Sequence, residues 1–140
     1  MSVSLEQANR IVGAAIDAAR SAGHKPMAVV VVDDSGNLKA AQRDDGASMF
    51  RIDVASGKAY AAIAMGASSR ELAQRAKDNP VFFTTLAATA HGRFLPQTGA
   101  VLIKADDGRV LGAAGASGGT GDQDEAICVA AVRAAGLEPG

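Results

Sequence analysis

The residues best suited to chemistry lie in the last third of the chain, where a glycine-rich loop precedes a cluster of carboxylates. Gly118 and Gly119 leave the backbone uncovered, so it can adopt a positive φ or approach a ligand closely. Asp122, Asp124 and Glu125 follow within a few residues. A loop without side chains beside carboxylates can offer backbone donors and acids to a small molecule. We therefore expect a small-ligand site in this segment.

Thr120 and Gln123 have the spacing of a capping box, which predicts that a helix begins directly after the glycine loop. Both are candidate ligand-binding residues. The loop lacks the lysine of a phosphate-binding P-loop, and three carboxylates beside it would repel a phosphate, so nucleotide binding is disfavoured. Acids in the first turn of a helix also stabilise its dipole, which accounts for them without any ligand.

Lys58 is the only charged residue between Val54 and Ser69, in a segment of apolar and small residues. A helix that is apolar on all sides is buried, and a buried ammonium must pair with an anion or lose its proton. Asp53, or an acid at the start of the final helix, could be that partner. Two interpretations follow: a structural ion pair, or a base or cation that holds a ligand carboxylate.

The two histidines differ in position. His91 lies in a predicted loop in the middle of the chain, where it could reach a pocket as a general acid or base, or as a metal or haem ligand. Phe94, in the same loop, is a candidate ligand contact. His24 follows the first predicted helix, where a positive charge suits the helix dipole, so we expect it to cap that helix at the surface.

Arg43 and Asp45 lie where the second predicted strand ends. An arginine in that position can bind a carboxylate through two parallel N–H groups, whereas turn formation alone explains the neighbouring acids. The sequence has no CxxC, HExxH or HxxxH pattern, so we expect no dedicated metal site. The candidate catalytic residues are therefore Lys58, His91, Arg43 and Asp45.

The elements that position these residues follow from hydrophobic periodicity and turn signals. A first helix begins at a capping box of Ser4 and Gln7 and ends at Gly23. Strands are predicted at 27–32, 38–43, 99–103 and 109–116, and helices at 49–65, 68–79, 81–90 and 120–135. Because strand–helix–strand units do not recur, the pattern indicates an α+β fold with an antiparallel sheet covered by helices.

Composition narrows the class of protein. The 140 residues suit one domain, 1–140, and a net charge of −1 gives no reason to expect binding to nucleic acid or an anionic membrane. No apolar run approaches the roughly 18 residues of a membrane span. With no secretory signal and one cysteine, Cys128, read as a small buried residue, we expect a cytoplasmic protein. Sixteen glycines and few large side chains predict a homo-oligomer.

Three ordered segments, at 29–47, 52–62 and 108–126, resemble the GlcG/HbpS family (DUF336, haem-degrading domain-like). The resemblance spans residues 5–136 and implies a five-stranded antiparallel sheet flanked by helices, a profilin-like sandwich, assembled into oligomers that are often octamers. Where many members have GGxP, this chain has Gln97-Thr98-Gly99-Ala100-Val101. The positions that match the family's motifs are Arg43, Asp45, Gly46, Asp53, Lys58, Gly118, Gly119, Gln123, Asp124 and Glu125.

The resemblance implies more than one activity, because some members bind haem or another tetrapyrrole, some accompany corrinoid enzymes and some act in the degradation of small organic acids. Two hypotheses follow. The first is a homo-oligomeric protein that binds a small ligand, with haem as the candidate cofactor. The second is a cofactor-independent catabolic enzyme, of the lyase, isomerase or dehalogenase type, that uses acid–base chemistry on a small organic acid.

Overall fold

The computed structural model describes residues 1–140 and contains five helices and five strands. The elements are α1 (Leu5–Ser21), β1 (Ala28–Asp33), β2 (Leu38–Arg43), α2 (Phe50–Met65), α3 (Ser69–Asp78), α4 (Pro80–Thr89), β3 (Ala100–Lys104), β4 (Val110–Ser117), α5 (Gly121–Ala134) and β5 (Glu138–Pro139). The strands form one sheet in the order β2-β1-β4-β3-β5, and every pairing is antiparallel. The predicted α+β class and five-stranded antiparallel sheet are confirmed. None of the helices has the length and apolarity that a membrane crossing needs.

Strand β1 carries an unbroken valine run because helices cover both faces of the sheet at its centre. Val29 and Val31 point into the larger core, which α1 and α5 complete, while Val30 and Val32 point toward α2. All four valines are buried. The alternation of side chains along a strand thus divides one apolar segment between two cores.

Helix α2 packs unusually close to the sheet because both surfaces carry small residues. Ala55, Ala59 and Ala62 are fully buried against it. Opposite them lies Gly115 in β4, where an added Cβ would be 2.5 Å from the carbonyl oxygen of Ala55. The close approach of backbone to backbone explains why this strand position holds glycine.

Helices α2 and α4 and strand β5 test the predictions made from the sequence. Helix α2 was expected to be buried on all sides, and this is wrong: Phe50 is 65% exposed, and Asp53 and Ala64 are exposed too. Segment 81–90, whose pattern only weakly favoured a helix, is helix α4, and Phe83 is its single buried residue. The two-residue strand β5 was implied by the family resemblance alone, since its sequence has no strand signal.

Replacing Gly115 with alanine tests the packing of α2 on the sheet. The new methyl group must push the helix backbone away, so Gly115→Ala should lower the free energy of unfolding by about 1–3 kcal/mol. Gly13→Ala in α1 is the matched control, because no atom lies within 4 Å of the added Cβ. That control should raise the free energy of unfolding by up to about 1 kcal/mol, since alanine favours helix. Urea denaturation of both variants decides, and a Gly115→Ala protein as stable as the parent would contradict the packing argument.

Candidate functional site

A buried ion pair joins α2 to the start of α5. The Nζ of Lys58 lies 3.0 Å from the Oδ2 of Asp124, and the two side chains are 6% and 2% exposed. Lys58 also donates to the carbonyl oxygen of Ala116, at 3.0 Å. The other carboxylate oxygen of Asp124 accepts from the backbone N–H of Gly119, at 3.0 Å. Of the two partners that the sequence offered for Lys58, the structure therefore has the acid on the final helix and not Asp53.

The glycines around this pair are required by close packing. Gly99 has a φ of +137°, and an added Cβ would lie 2.7 Å from the Nζ of Lys58. Gly118 has a φ of +154°, and its Cβ would lie 2.9 Å from the Cα of Met27. At Gly118 the loop packs against the backbone before β1, and the next N–H, that of Gly119, donates to Asp124. Gly99 also explains why one glycine persists where this chain departs from the GGxP pattern.

Cys128 lies one turn beyond Asp124 on α5 and is fully buried. Burial, with a smaller contribution from the negative charge of Asp124, raises the pKa of its thiol to about 12. The prediction of a small buried residue is confirmed.

A cavity of about 530 Å³ opens beside the ion pair, between α2, the segment before β3 and the start of α5. We call it the polar cleft. Among its lining residues only Val54 and Leu95 are apolar. The others are Arg51, Lys58, Gln97, Thr98, Ser117, Thr120, Gly121, Asp122 and Asp124.

The other two acids of α5, Asp122 and Glu125, pair with an arginine that does not line the cleft. Arg70 forms ion pairs with Asp122 and with Glu125, the latter at 3.0 Å. The two carboxylates raise the pKa of the Arg70 guanidinium above its ordinary value. Thr120 and Gln123 form the predicted capping box. Only Asp124 of the three acids is therefore buried at the site, and Glu125 does not line the cleft.

A second cavity of about 380 Å³ lies on the other side of α2, and we call it the histidine pocket. His91 stands at its edge in the turn after α4, together with Arg93, whose guanidinium carbon is 4.9 Å from the ring centroid of Tyr60. The full lining is Val30, Val32, Gly36, Leu38, Phe50, Asp53, Ser56, Gly57, Tyr60, His91, Gly92 and Arg93. Asp53 and His91, both candidates from the sequence, thus share a cavity.

The other candidates lie elsewhere. Arg43 and Asp45 line a shallow depression, and Arg43 donates to the carbonyl oxygen of Ala47 at 2.5 Å. Phe94 is buried in a small core, with its ring centroid 6.1 Å from that of Phe83. Gly118, Gly119 and Gln123 share a separate surface cavity with His24. The four candidate catalytic residues, Lys58, His91, Arg43 and Asp45, therefore line three different cavities, and no group of three metal-ligating side chains converges.

Sequence analysis missed the residues that accompany Lys58 and Asp53 on α2. Arg51 lies seven residues before Lys58, and Tyr60 lies seven residues after Asp53. Seven residues are close to two helical turns, so each pair lies on one side of the helix. This seven-residue spacing is the signal from which Arg51 and Tyr60 could have been predicted. Gln97 and Thr98 offered none, because they lie in an irregular segment.

Removing one partner tests whether the buried ion pair is structural. Lys58→Met leaves the carboxylate of Asp124 buried without a counter-ion, which should lower the free energy of unfolding by about 3–5 kcal/mol. The double variant Lys58→Met/Asp124→Leu removes both charges and should regain much of that loss. Thermal and urea unfolding of the three proteins measures this. A Lys58→Met protein as stable as the parent would show that the pair does not hold α2 to α5.

Comparisons with known proteins agree with this architecture. The family model described as haem-degrading protein HbpS-like matches residues 3–133. No curated protein matches the chain in sequence. The solved structure of PduOC in complex with haem is 25% identical, with a TM-score of 0.86 over 98% of this chain and 97% of that one.

Two further solved structures are similar over nearly the whole chain. A double mutant of HbpS from Streptomyces reticuli is 30% identical, with a TM-score of 0.81 over 95% of this chain and 86% of that one. The protein ORFY from Klebsiella pneumoniae is 25% identical, with a TM-score of 0.85 over 96% and 90% of the two chains. Since the family model covers almost all of the sequence, the chain belongs to the family of HbpS-like haem-degrading proteins.

Proposed function

We propose that this protein binds haem or a related tetrapyrrole, and that the histidine pocket is the binding site. The observation that carries the proposal is the position of His91, which places an imidazole at the edge of a cavity lined by two aromatic rings and three aliphatic side chains. Ligand sites in proteins combine such apolar walls with a few polar groups that fix orientation.

The apolar lining suits the faces of a planar macrocycle. Phe50 and Leu38 are 65% and 66% exposed, although both are large apolar residues beside a cavity. Exposed apolar surface of this kind marks places where a ligand or partner covers the protein. Val30 and Val32, from the centre of the sheet, form the inner part of the lining, and because both are buried the exposed apolar surface comes from the other lining residues.

The polar groups at the edge suit the iron and the acidic side chains of haem. A ring nitrogen of His91 would ligate the iron, and the guanidinium of Arg93 would pair with a propionate. Haem, when bound, supplies a redox-active iron centre. His91 has a φ of +56°, the one positive φ at a residue other than glycine in this chain. Such a conformation costs free energy and concentrates at functional sites.

The solved structure of PduOC with haem supports the proposal, because that protein shares this fold along its whole length. The alternative, an enzyme that acts by acid–base chemistry, needs Lys58 and His91 on one substrate. The two side chains line cavities on different sides of α2, so the arrangement within one subunit does not support that mechanism.

We also propose that the protein is a homo-oligomer. Met49, Val81 and Phe82 are 84%, 77% and 50% exposed, and a chain with few large side chains gains burial by association. The contact surfaces of such oligomers cover apolar side chains of this type.

Titration with hemin tests the haem site. The parent protein should give a saturable shift of the Soret band, and His91→Ala should abolish it because the axial ligand is lost. His24→Ala is the matched control and should leave the titration unchanged, since His24 lines a different cavity. Absence of a saturable shift in the parent protein, or a shift that His91→Ala leaves intact, would contradict the proposed site.

Light scattering tests self-association. A subunit has a mass of 14.1 kDa, and we expect a particle of at least twice that mass at micromolar concentration. Phe82→Lys and Val81→Lys should reduce the mass if α4 contributes to the contact, because an ammonium is costly to bury. A parent protein that elutes and scatters as a monomer would contradict the proposal.

A further inference from the structure

We propose that the polar cleft is a second ligand site, separate from the histidine pocket, and that it binds a short polar carboxylate through Arg51. The proposal does not depend on haem binding. It rests on the charges that line the cleft, on the free hydrogen-bonding groups there and on the size of the cavity.

Arg51 has no counter-ion in the structure. None of the ion pairs in the structure involves it, and its one side-chain hydrogen bond goes from Nη1 to the Oγ of Ser117, at 3.1 Å. Ser117 is buried and anchors one arm of the guanidinium at the cleft. Arg51 is half-buried, so its remaining N–H groups are positioned with less freedom than those of a surface arginine.

Every other charged side chain in the cleft already has a partner. Lys58 is paired with Asp124, and Asp122 is paired with Arg70. The lining holds two cations and two carboxylates, and Arg51 is the one charge among them without a partner, so an anionic ligand would supply its counter-ion. A carboxylate matches the planar fork of a guanidinium, which donates two parallel N–H groups to its two oxygens.

Lys58 and Thr120 each have a free hydrogen-bond donor for the rest of the ligand. Lys58 uses two of its three ammonium hydrogens on Ala116 and Asp124, which leaves one donor. The hydroxyl of Thr120 accepts from the backbone of Gln123 and keeps its own hydrogen for donation. With only two apolar lining residues, a cavity of about 530 Å³ has ample room for a polar acid that carries hydroxyl or carbonyl oxygens.

The acids in the lining argue for a carboxylate over a phosphate. Asp122 and Asp124 both contribute to the cleft, so a doubly charged anion meets more repulsion than a singly charged one. Separation from the histidine pocket follows from helix geometry. Arg51 and Asp53 are two residues apart on α2 and line different cavities, so the two ligands need not compete.

Amide chemical shifts of the ¹⁵N-labelled protein, measured during titration with lactate, test the proposal. We expect saturable shifts confined to residues around the cleft, such as Thr98 and Gly121, with a Kd on the order of 1 mM for so small a ligand. Lactamide, which has the same shape without the charge, should not bind. Inorganic phosphate should bind more weakly than lactate.

Substitution of two arginines distinguishes a direct contact between Arg51 and lactate from a general effect of the net charge of the protein. Arg51→Gln should weaken lactate binding roughly tenfold or more, because a charge-assisted fork is lost. Arg10→Gln removes the same charge from an exposed position on α1 and should leave the Kd unchanged. If Arg51→Gln does not fold, Val54→Phe serves instead, since it fills the cleft and should prevent binding.

Four results would overturn the proposal. They are the absence of saturable shifts with lactate, equal affinity for lactamide, tighter binding of phosphate, and an unchanged Kd in the folded Arg51→Gln protein. Hemin titration of Arg51→Gln provides an independent measurement. An unaltered Soret response beside lost lactate binding would establish that the two sites are separate.

Discussion

Lys58 and Asp124 share a hydrogen bond where α2, β4 and α5 meet, and the local structure depends on keeping those two charges together away from water. Each charge needs further hydrogen bonds because a buried pair is stable only when its remaining donors and acceptors are used. The carbonyl of Ala116 and the N–H of Gly119 supply them. The backbone must come very close to the pair, and this constraint places glycine at 99, where an added Cβ would lie 2.7 Å from the Nζ of Lys58.

Helix α2 separates the two cavities, with the polar cleft on one side of it and the histidine pocket on the other. Its sheet-facing side is alanine, opposite Gly115 of β4, which holds it against β4 and β1 without using large side chains. Its flanks are then free to carry polar and aromatic groups: Arg51 and Lys58 on one side, Asp53 and Tyr60 on the other. A helix with this composition has only weak amphipathic periodicity. It nevertheless contributes residues to two different cavities, one with a mostly polar lining and one with a partly apolar lining.

Sequence patterns predicted the fold well because period, caps and turns are local properties. The capping boxes at Ser4 and Thr120 and the unbroken valine run of β1 each depend only on residues close together in the sequence. The candidate site was predicted only in part. Lys58 was identifiable as a lone charge, but its choice of Asp124 over Asp53 depends on how α5 packs, and no local pattern contains that information. Arg43 ends β2 and Asp45 lies in the turn after it, and residue types that form such a turn also suit a binding site, so composition alone could not distinguish a turn from a site.

The burial of Cys128 limits the reactions open to its sulfur. Only a thiolate reacts readily with peroxide or ligates a metal, and burial raises the pKa of this thiol to about 12, so the protonated thiol predominates at neutral pH. The sulfur is also enclosed on α5, with the carbonyl oxygen of Gly99 3.7 Å away. The single cysteine of the chain is therefore protected against oxidative damage both chemically and sterically, so the folded protein resists the sulfenic acid formation and intermolecular disulfides that exposed thiols undergo.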